Sequence, residues 1–129
     1  MKEPIWILNE VVIAIHQMLL AEHGGSPGIR DTELLGSALA KPKQRLHYEP
    51  DSTLFQLAAS YSFGIAKNHP FIDGNKRVAL TVGATFLELN GFLLNASEPE
   101  TAFVFEELAA SNLSEQELAQ WFESNSISA

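Results

Sequence analysis

Apolar positions recur at helical spacing along most of the chain. Asn9 is placed to cap a helix reaching about His23, with Val12, Ile15 and Leu19 on one face and Gly24-Gly25 ending it. Asp31 then caps a short helix to about Ala40 that buries Leu34, Leu35, Ala38 and Leu39. Pro42 and Pro50 bracket residues 43–49, where the helical pattern lapses. Leu46 and Tyr48 would share one face of an extended strand there, so the segment reads as an exposed flap or hairpin. Thr53 and Gln56 form a capping-box pair, followed by Leu54, Leu57, Ala58, Tyr61 and Ile65 on one face. Phe55, Ala59 and Ala66 add a second apolar stripe, which predicts a deeply buried helix to about Asn68. From Asn75 to about Asn90 the sequence is apolar almost all round, the signature of a helix in the middle of a bundle, and Gly91 stops it. Phe92-Leu93-Leu94 suits a short extended piece. Ser97/Glu100 and Ser114/Glu117 are two more capping signals. They open helices that bury Val104, Phe105 and Leu108, then Leu118, Trp121 and Phe122. The pattern predicts an all-α fold: a compact bundle of about six helices with a short extended flap before the third.

Composition narrows the class. A length of 129 residues fits one domain, taken as residues 1–129, with enough chain to bury a core. Hydrophobic residues make up 46% and mean hydropathy is +0.01, as expected of a soluble globular protein. No window offers the ~18 uncharged apolar residues of a membrane span, and the apolar run after Met1-Lys2-Glu3-Pro4 is too short for a signal peptide. There are no cysteines, which excludes disulfides and thiolate zinc sites and makes a reducing cytoplasm the simplest compartment. Net charge −8 argues against direct nucleic-acid binding. The charge is unevenly placed, since residues 78–129 hold eight acidic residues and no Lys or Arg. Six of the eight basic residues lie between Lys41 and Arg77. That split suits either a solvated acidic tail or a basic cleft set beside an acidic flank.

The candidate chemistry sits in nine consecutive residues, His69-Pro70-Phe71-Ile72-Asp73-Gly74-Asn75-Lys76-Arg77, between two apolar helices. The helix beginning at Asn75 should point unpaired N–H groups into the turn, a ready anion site. Gly74 lets the chain turn and removes a Cβ from the approach of a ligand. Lys76 and Arg77 add a point charge and a planar fork for phosphate oxygens. Asp73 supplies a hard oxygen of the kind that holds Mg²⁺ beside substrate phosphates. His69 suits a general base near neutral pH. These are the parts of phosphoryl or nucleotidyl transfer. Taken singly, each has an ordinary structural reading: His69 a helix-end hydrogen bonder, Asp73 and Asn75 turn residues, Phe71 a core anchor, Lys76 and Arg77 surface charges. One short turn seldom needs all five polar types for folding. His16, His23 and His47 show no metal-ligand spacing and read as structural or surface residues.

At this motif the chain resembles the Fic/Doc superfamily, and within it the death-on-curing (Doc) toxins. The resemblance extends to Ile15-His16, to Gly24-Gly25-Ser26-Pro27-Gly28-Ile29-Arg30-Asp31 and to Phe86-Leu87-Glu88-Leu89-Asn90-Gly91, covering roughly residues 7–95. It implies a compact helical toxin of a toxin–antitoxin pair that moves a phosphoryl group from ATP to a hydroxyl of translation elongation factor Tu. Carried over residue by residue, His69 would be the base and Asp73 the Mg²⁺ ligand. Gly74, Asn75, Lys76, Arg77 and Lys67 would hold the nucleotide phosphates, with Lys76 also counted as catalytic. Lys43, Gln44, Arg45, Leu46, His47 and Tyr48 would be the flap that aligns the target backbone.

Fic relatives transfer AMP instead and usually carry Gly at the position of Lys76 and a second Arg at that of Leu80. Both differences favour the kinase reading. Two departures from the Doc pattern are Lys67 in place of Arg and Thr81 in place of Asn. The inhibitory motif of some Fic proteins (Ser or Thr, three residues, then Glu-Gly or Glu-Asn) is absent, so restraint would come from a separate antitoxin with a disordered tail. AMP transfer and a catalytically silent binding or regulatory role are the alternatives.

Overall fold

The computed structural model describes residues 3–129. Among them are six helices and two short strands: α1 (Asn9–His23), α2 (Thr32–Tyr48), α3 (Leu54–Asn68), α4 (Asn75–Leu89), β1 (Phe92–Leu94), α5 (Glu98–Ala109), α6 (Glu115–Ser124) and β2 (Ser126–Ser128). The expected all-α class and helix count are what the chain adopts. None of these helices is long and apolar enough to cross a membrane.

Helix α3 is the axis of the bundle, packed against α2, α4 and α6. Both of its apolar stripes are used: Leu57, Ala58, Ala59, Tyr61, Ile65 and Ala66 are all buried. Thr53 and Gln56 form the full capping box that starts it. The reciprocal Ser114/Glu117 box starts α6, and the Ser114 donors hold the Glu117 carboxyl below its usual range. Ser97 caps α5 through the Glu100 N–H alone. The N-cap of α1 is Leu8, with no side-chain bond; Asn9 is the first helical residue, not the cap. Tyr61 is buried beside Phe86 and its hydroxyl oxygen accepts the Ile7 N–H at 3.3 Å. Burial pushes its phenol above the ordinary value, and the Ile7 bond opposes that shift.

Helix α4 packs so closely on α3 that Gly83 has no room for a side chain. A Cβ there would collide with Ser62 Oγ and lie 2.9 Å from Phe122 Cζ. Ser62 cannot swing aside freely, because its hydroxyl donates to Ala79 O at 2.6 Å. Alanine gains up to about 1 kcal/mol over glycine in a helix, but overpacking a dense core costs about 1–3 kcal/mol. Gly83→Ala is therefore expected to lower the urea midpoint with little change in slope.

The flap expected over residues 43–49 does not exist as an extended segment. Helix α2 runs straight through Pro42 to Tyr48. Proline removes the N–H that the Ala38 carbonyl would receive, but Pro42 is buried and Ala38 lies against the bare backbone of Gly64. That packing against α3 outweighs the lost bond. Lys43, Gln44, Arg45, Leu46, His47 and Tyr48 thus form the last turns of α2. Arg45 donates to Glu115 at 2.6 Å, tying α2 to the start of α6, and Lys43 sits over the Trp6 ring. Residues 92–94 are extended as expected. Their partner, β2, pairs antiparallel with Leu93 opposite Ile127, a strand that the sequence pattern does not signal.

Candidate active site

The nine-residue motif closes the turn from α3 to α4, and its backbone is shaped at both ends. His69 is the C-cap of α3 in the left-handed region (φ 49°, ψ 55°). Gly74 is the N-cap of α4, also left-handed at φ 81°. Between them Phe71 is buried at 1% exposure and anchors the loop in the core.

Three neighbours hold this loop. From below, the His16 ring stacks on Phe71 with centroids 4.0 Å apart, and its Nε2 lies 2.9 Å from Asp73 O. A carbonyl only accepts, so His16 Nε2 carries the proton. From the side comes the connection between α1 and α2. Arg30 N–H and Asp31 N–H donate to Pro70 O, Ile72 N–H donates to Gly28 O, and Ile29 bridges Phe71 antiparallel. The Arg30 guanidinium donates to Asn68 O and His69 O at 2.8 and 2.7 Å, a cation on the C-terminal carbonyls of α3. From within, Asn75 is 5% exposed and its amide bonds Phe71 N, Phe71 O and His69 Nδ1.

The reactive groups face outward. His69, Asp73, Lys76 and Arg77 are exposed. Asp73 Oδ1 accepts the Gly74 N–H at 2.8 Å and Oδ2 accepts the Ser26 N–H at 3.1 Å, which aims the carboxylate beside the turn. Gly25 is required there. Its φ is +123°, and a Cβ would meet Asp73 Oδ2 at 2.8 Å. Among the described residues no cluster of three metal-binding side chains exists. A single carboxylate with substrate phosphates and waters suffices for Mg²⁺, however, and the exposed Asp73 oxygens fit that donor set. The first N–H groups of α4 have no side-chain cap. Lys76 pairs with Glu106 of α5, whereas Arg77 has no ion pair among the described residues.

Two clefts meet the motif. One of about 760 Å³ between α4 and α5 is lined by Lys76, Arg77, Leu80, Phe105 and Glu106. Another of about 540 Å³ is lined by His69, Lys67, Phe63, Leu108 and Leu113. Lys67 therefore stands on the His69 side, its ammonium over the Phe63 ring, apart from Lys76 and Arg77.

The residues expected to form a flap are not brought to this site. Helix α2 starts beside the end of α3, where Asn68 donates to Leu34 O, and finishes at the other end of α3. Fifteen residues of α3 separate Tyr48 from His69, about 22 Å at 1.5 Å per residue. The segment that does run beside the motif is residues 24–31. In the sequence it reads only as a tight connection, and His16 as ordinary structure. Only the recurrence of both segments in the resemblance hinted that they belong to the site.

The family model described as Fic/DOC family matches residues 6–87, from before α1 almost to the end of α4. The chain belongs to the Fic/DOC family. Among similar relatives of this Fic/DOC chain is "Protein kinase doc" of Escherichia phage P1, 35% identical over 85 residues, 66% of this chain and 68% of that protein. "Toxin Doc" of Mycolicibacterium smegmatis is 38% identical over 74 residues, 57% of each chain. The matched region of this Fic/DOC chain contains His16, the residue 24–31 segment and the whole motif; α5 with Glu106 lies beyond it.

Proposed function

We propose that this chain is the toxin of a toxin–antitoxin module and a protein kinase, transferring the ATP γ-phosphoryl group to a hydroxyl of elongation factor Tu and so blocking translation. The observation that carries this reading is the motif's arrangement: an exposed imidazole fixed by Asn75, next to an uncapped helix N-terminus flanked by Lys76 and Arg77. Phosphoryl transfer needs little covalent help from the protein, only positioning and charge stabilisation. The N–H groups of the first turn of α4, with Lys76 and Arg77, would take the phosphate oxygens. Asp73 would hold Mg²⁺, which when bound neutralises phosphate charge. His69 would receive the proton of the acceptor hydroxyl as that oxygen bonds phosphorus and the bond to the β-phosphate oxygen breaks. Lys76 must exchange Glu106 for phosphate, and an exposed pair of this kind costs at most about 1 kcal/mol to open.

The alignment role first given to residues 43–48 would fall to residues 28–30, whose backbone lies beside the motif. A cognate antitoxin with a disordered tail would restrain the enzyme. A tail seated in the α4–α5 cleft would cover Lys76 and Arg77.

The test is label transfer. Incubated with Mg²⁺ and elongation factor Tu, the protein should pass label from γ-labelled ATP and none from α-labelled ATP. Transfer of the α-label would replace the kinase with an AMP transferase.

A further inference from the structure

The Asn75 amide can be oriented in one way only. Its Oδ1 accepts the Phe71 N–H at 2.9 Å, and its Nδ2 donates to Phe71 O at 2.9 Å. Turning the amide over would set donor against donor and acceptor against acceptor in a site from which water is excluded. The second N–H of the same Nδ2 lies against His69 Nδ1, at 3.2 Å. An amide nitrogen accepts nothing, so Nδ1 must be the acceptor. A neutral imidazole that accepts at Nδ1 carries its proton on Nε2. Nε2 is the nitrogen turned away from Asn75. No described group bonds it, and His69 lines the 540 Å³ cleft.

The nitrogen left free of Asn75 therefore offers an N–H, whereas a general base must offer a lone pair. We propose that Asn75 is a positioning residue that fixes His69 in the Nε2–H tautomer, so the resting site meets its substrates as a hydrogen-bond donor and gains its base only after a tautomer exchange. This rests on the reading of His69 as the base for the acceptor hydroxyl. The exchange balances without a co-reactant: Nε2 gives its proton to water, water gives one to Nδ1, and the Asn75 bond is lost. The hydroxyl proton can then move to Nε2 as the new oxygen–phosphorus bond forms, leaving an imidazolium. Until that exchange, a water that reaches Nε2 finds an N–H and is not activated, which restrains idle hydrolysis of ATP. Asn75 also cannot give this one N–H to a phosphate while it holds His69.

The test reads the tautomer directly. Protein labelled with ¹⁵N-histidine is observed by NMR above the ordinary imidazole range of about 6.5, with His69→Gln identifying the resonance. The expected spectrum has Nε2 protonated and Nδ1 carrying the lone pair. In Asn75→Asp a carboxylate faces Nδ1, and the pattern should invert to Nδ1–H. An Nδ1–H signal or an even mixture in the wild type overturns the proposal, as does an unchanged tautomer in folded Asn75→Asp. Should that variant not fold, the wild-type spectrum decides alone. Failure of label transfer with the Nε2–H signal present would sink the kinase reading and leave the tautomer standing. Label transfer with an Nδ1–H signal would do the reverse.

Discussion

His69→Ala is expected to lower phosphoryl transfer by about 10²–10⁴-fold, the usual contribution of a positioned acid or base. The fold should survive it. The backbone bonds of His69 to Ile65 O and from the Arg30 guanidinium do not involve the ring. The left-handed φ of 49° suits alanine less well than histidine, so a small strain is added, well short of what would unfold the chain. The ring makes one side-chain bond, to Asn75, which keeps both of its bonds to Phe71 when that one is lost. In cells the expected result is relief of growth arrest at unchanged protein level. A growth effect that persists undiminished in His69→Ala would favour the silent binding role over catalysis.

The second large effect is expected of Asp73→Asn. Asparagine keeps the shape but offers one acceptor where the carboxylate offers two. Either the Ser26 N–H or the Gly74 N–H would then face an NH₂ group, which loses that bond and repels the backbone donor. It also removes the charge that would hold Mg²⁺. A metal ion supplies several kcal/mol of transition-state stabilisation, so transfer should fall by at least about 10²-fold at 1.36 kcal/mol per tenfold. Raising the Mg²⁺ concentration should restore little. Full wild-type activity in the presence of a chelator of divalent ions would rule out the metal role.

Much of the bundle is legible in the chain because its signals are local. Thr53/Gln56 and Ser114/Glu117 state two helix starts within four residues each, and the doubled apolar stripe of residues 54–66 states the central position of α3. Pro42 misleads for a complementary reason. Its penalty is local and visible, whereas the contact that offsets it, α2 against Gly64, joins residues far apart in sequence. Strand β2 escapes notice because three residues carry almost no periodicity, and its pairing with β1 depends on α6 returning the chain. In the site, the reactive residues could be read because they are contiguous. Their supports could not: His16, Gly25 and Arg30 look ordinary until folding sets them against Asp73, Pro70 and His69. Glu106 gives no signal at all, being one acid among eight in its half of the chain.

The seam between residues 28–31 and 70–72 bears on how the site opens. Its bonds run from Arg30 N and Asp31 N to Pro70 O and from Ile72 N to Gly28 O, about 40 residues apart in the chain. Bonds shared in this way break together, so the α1–α2 connection and the motif form one cooperative opening unit, not two independent loops. The amides of Arg30, Asp31 and Ile72 should accordingly exchange with deuterium at matching opening free energies. A change that loosens residues 24–31 would therefore raise the exchange of the motif itself.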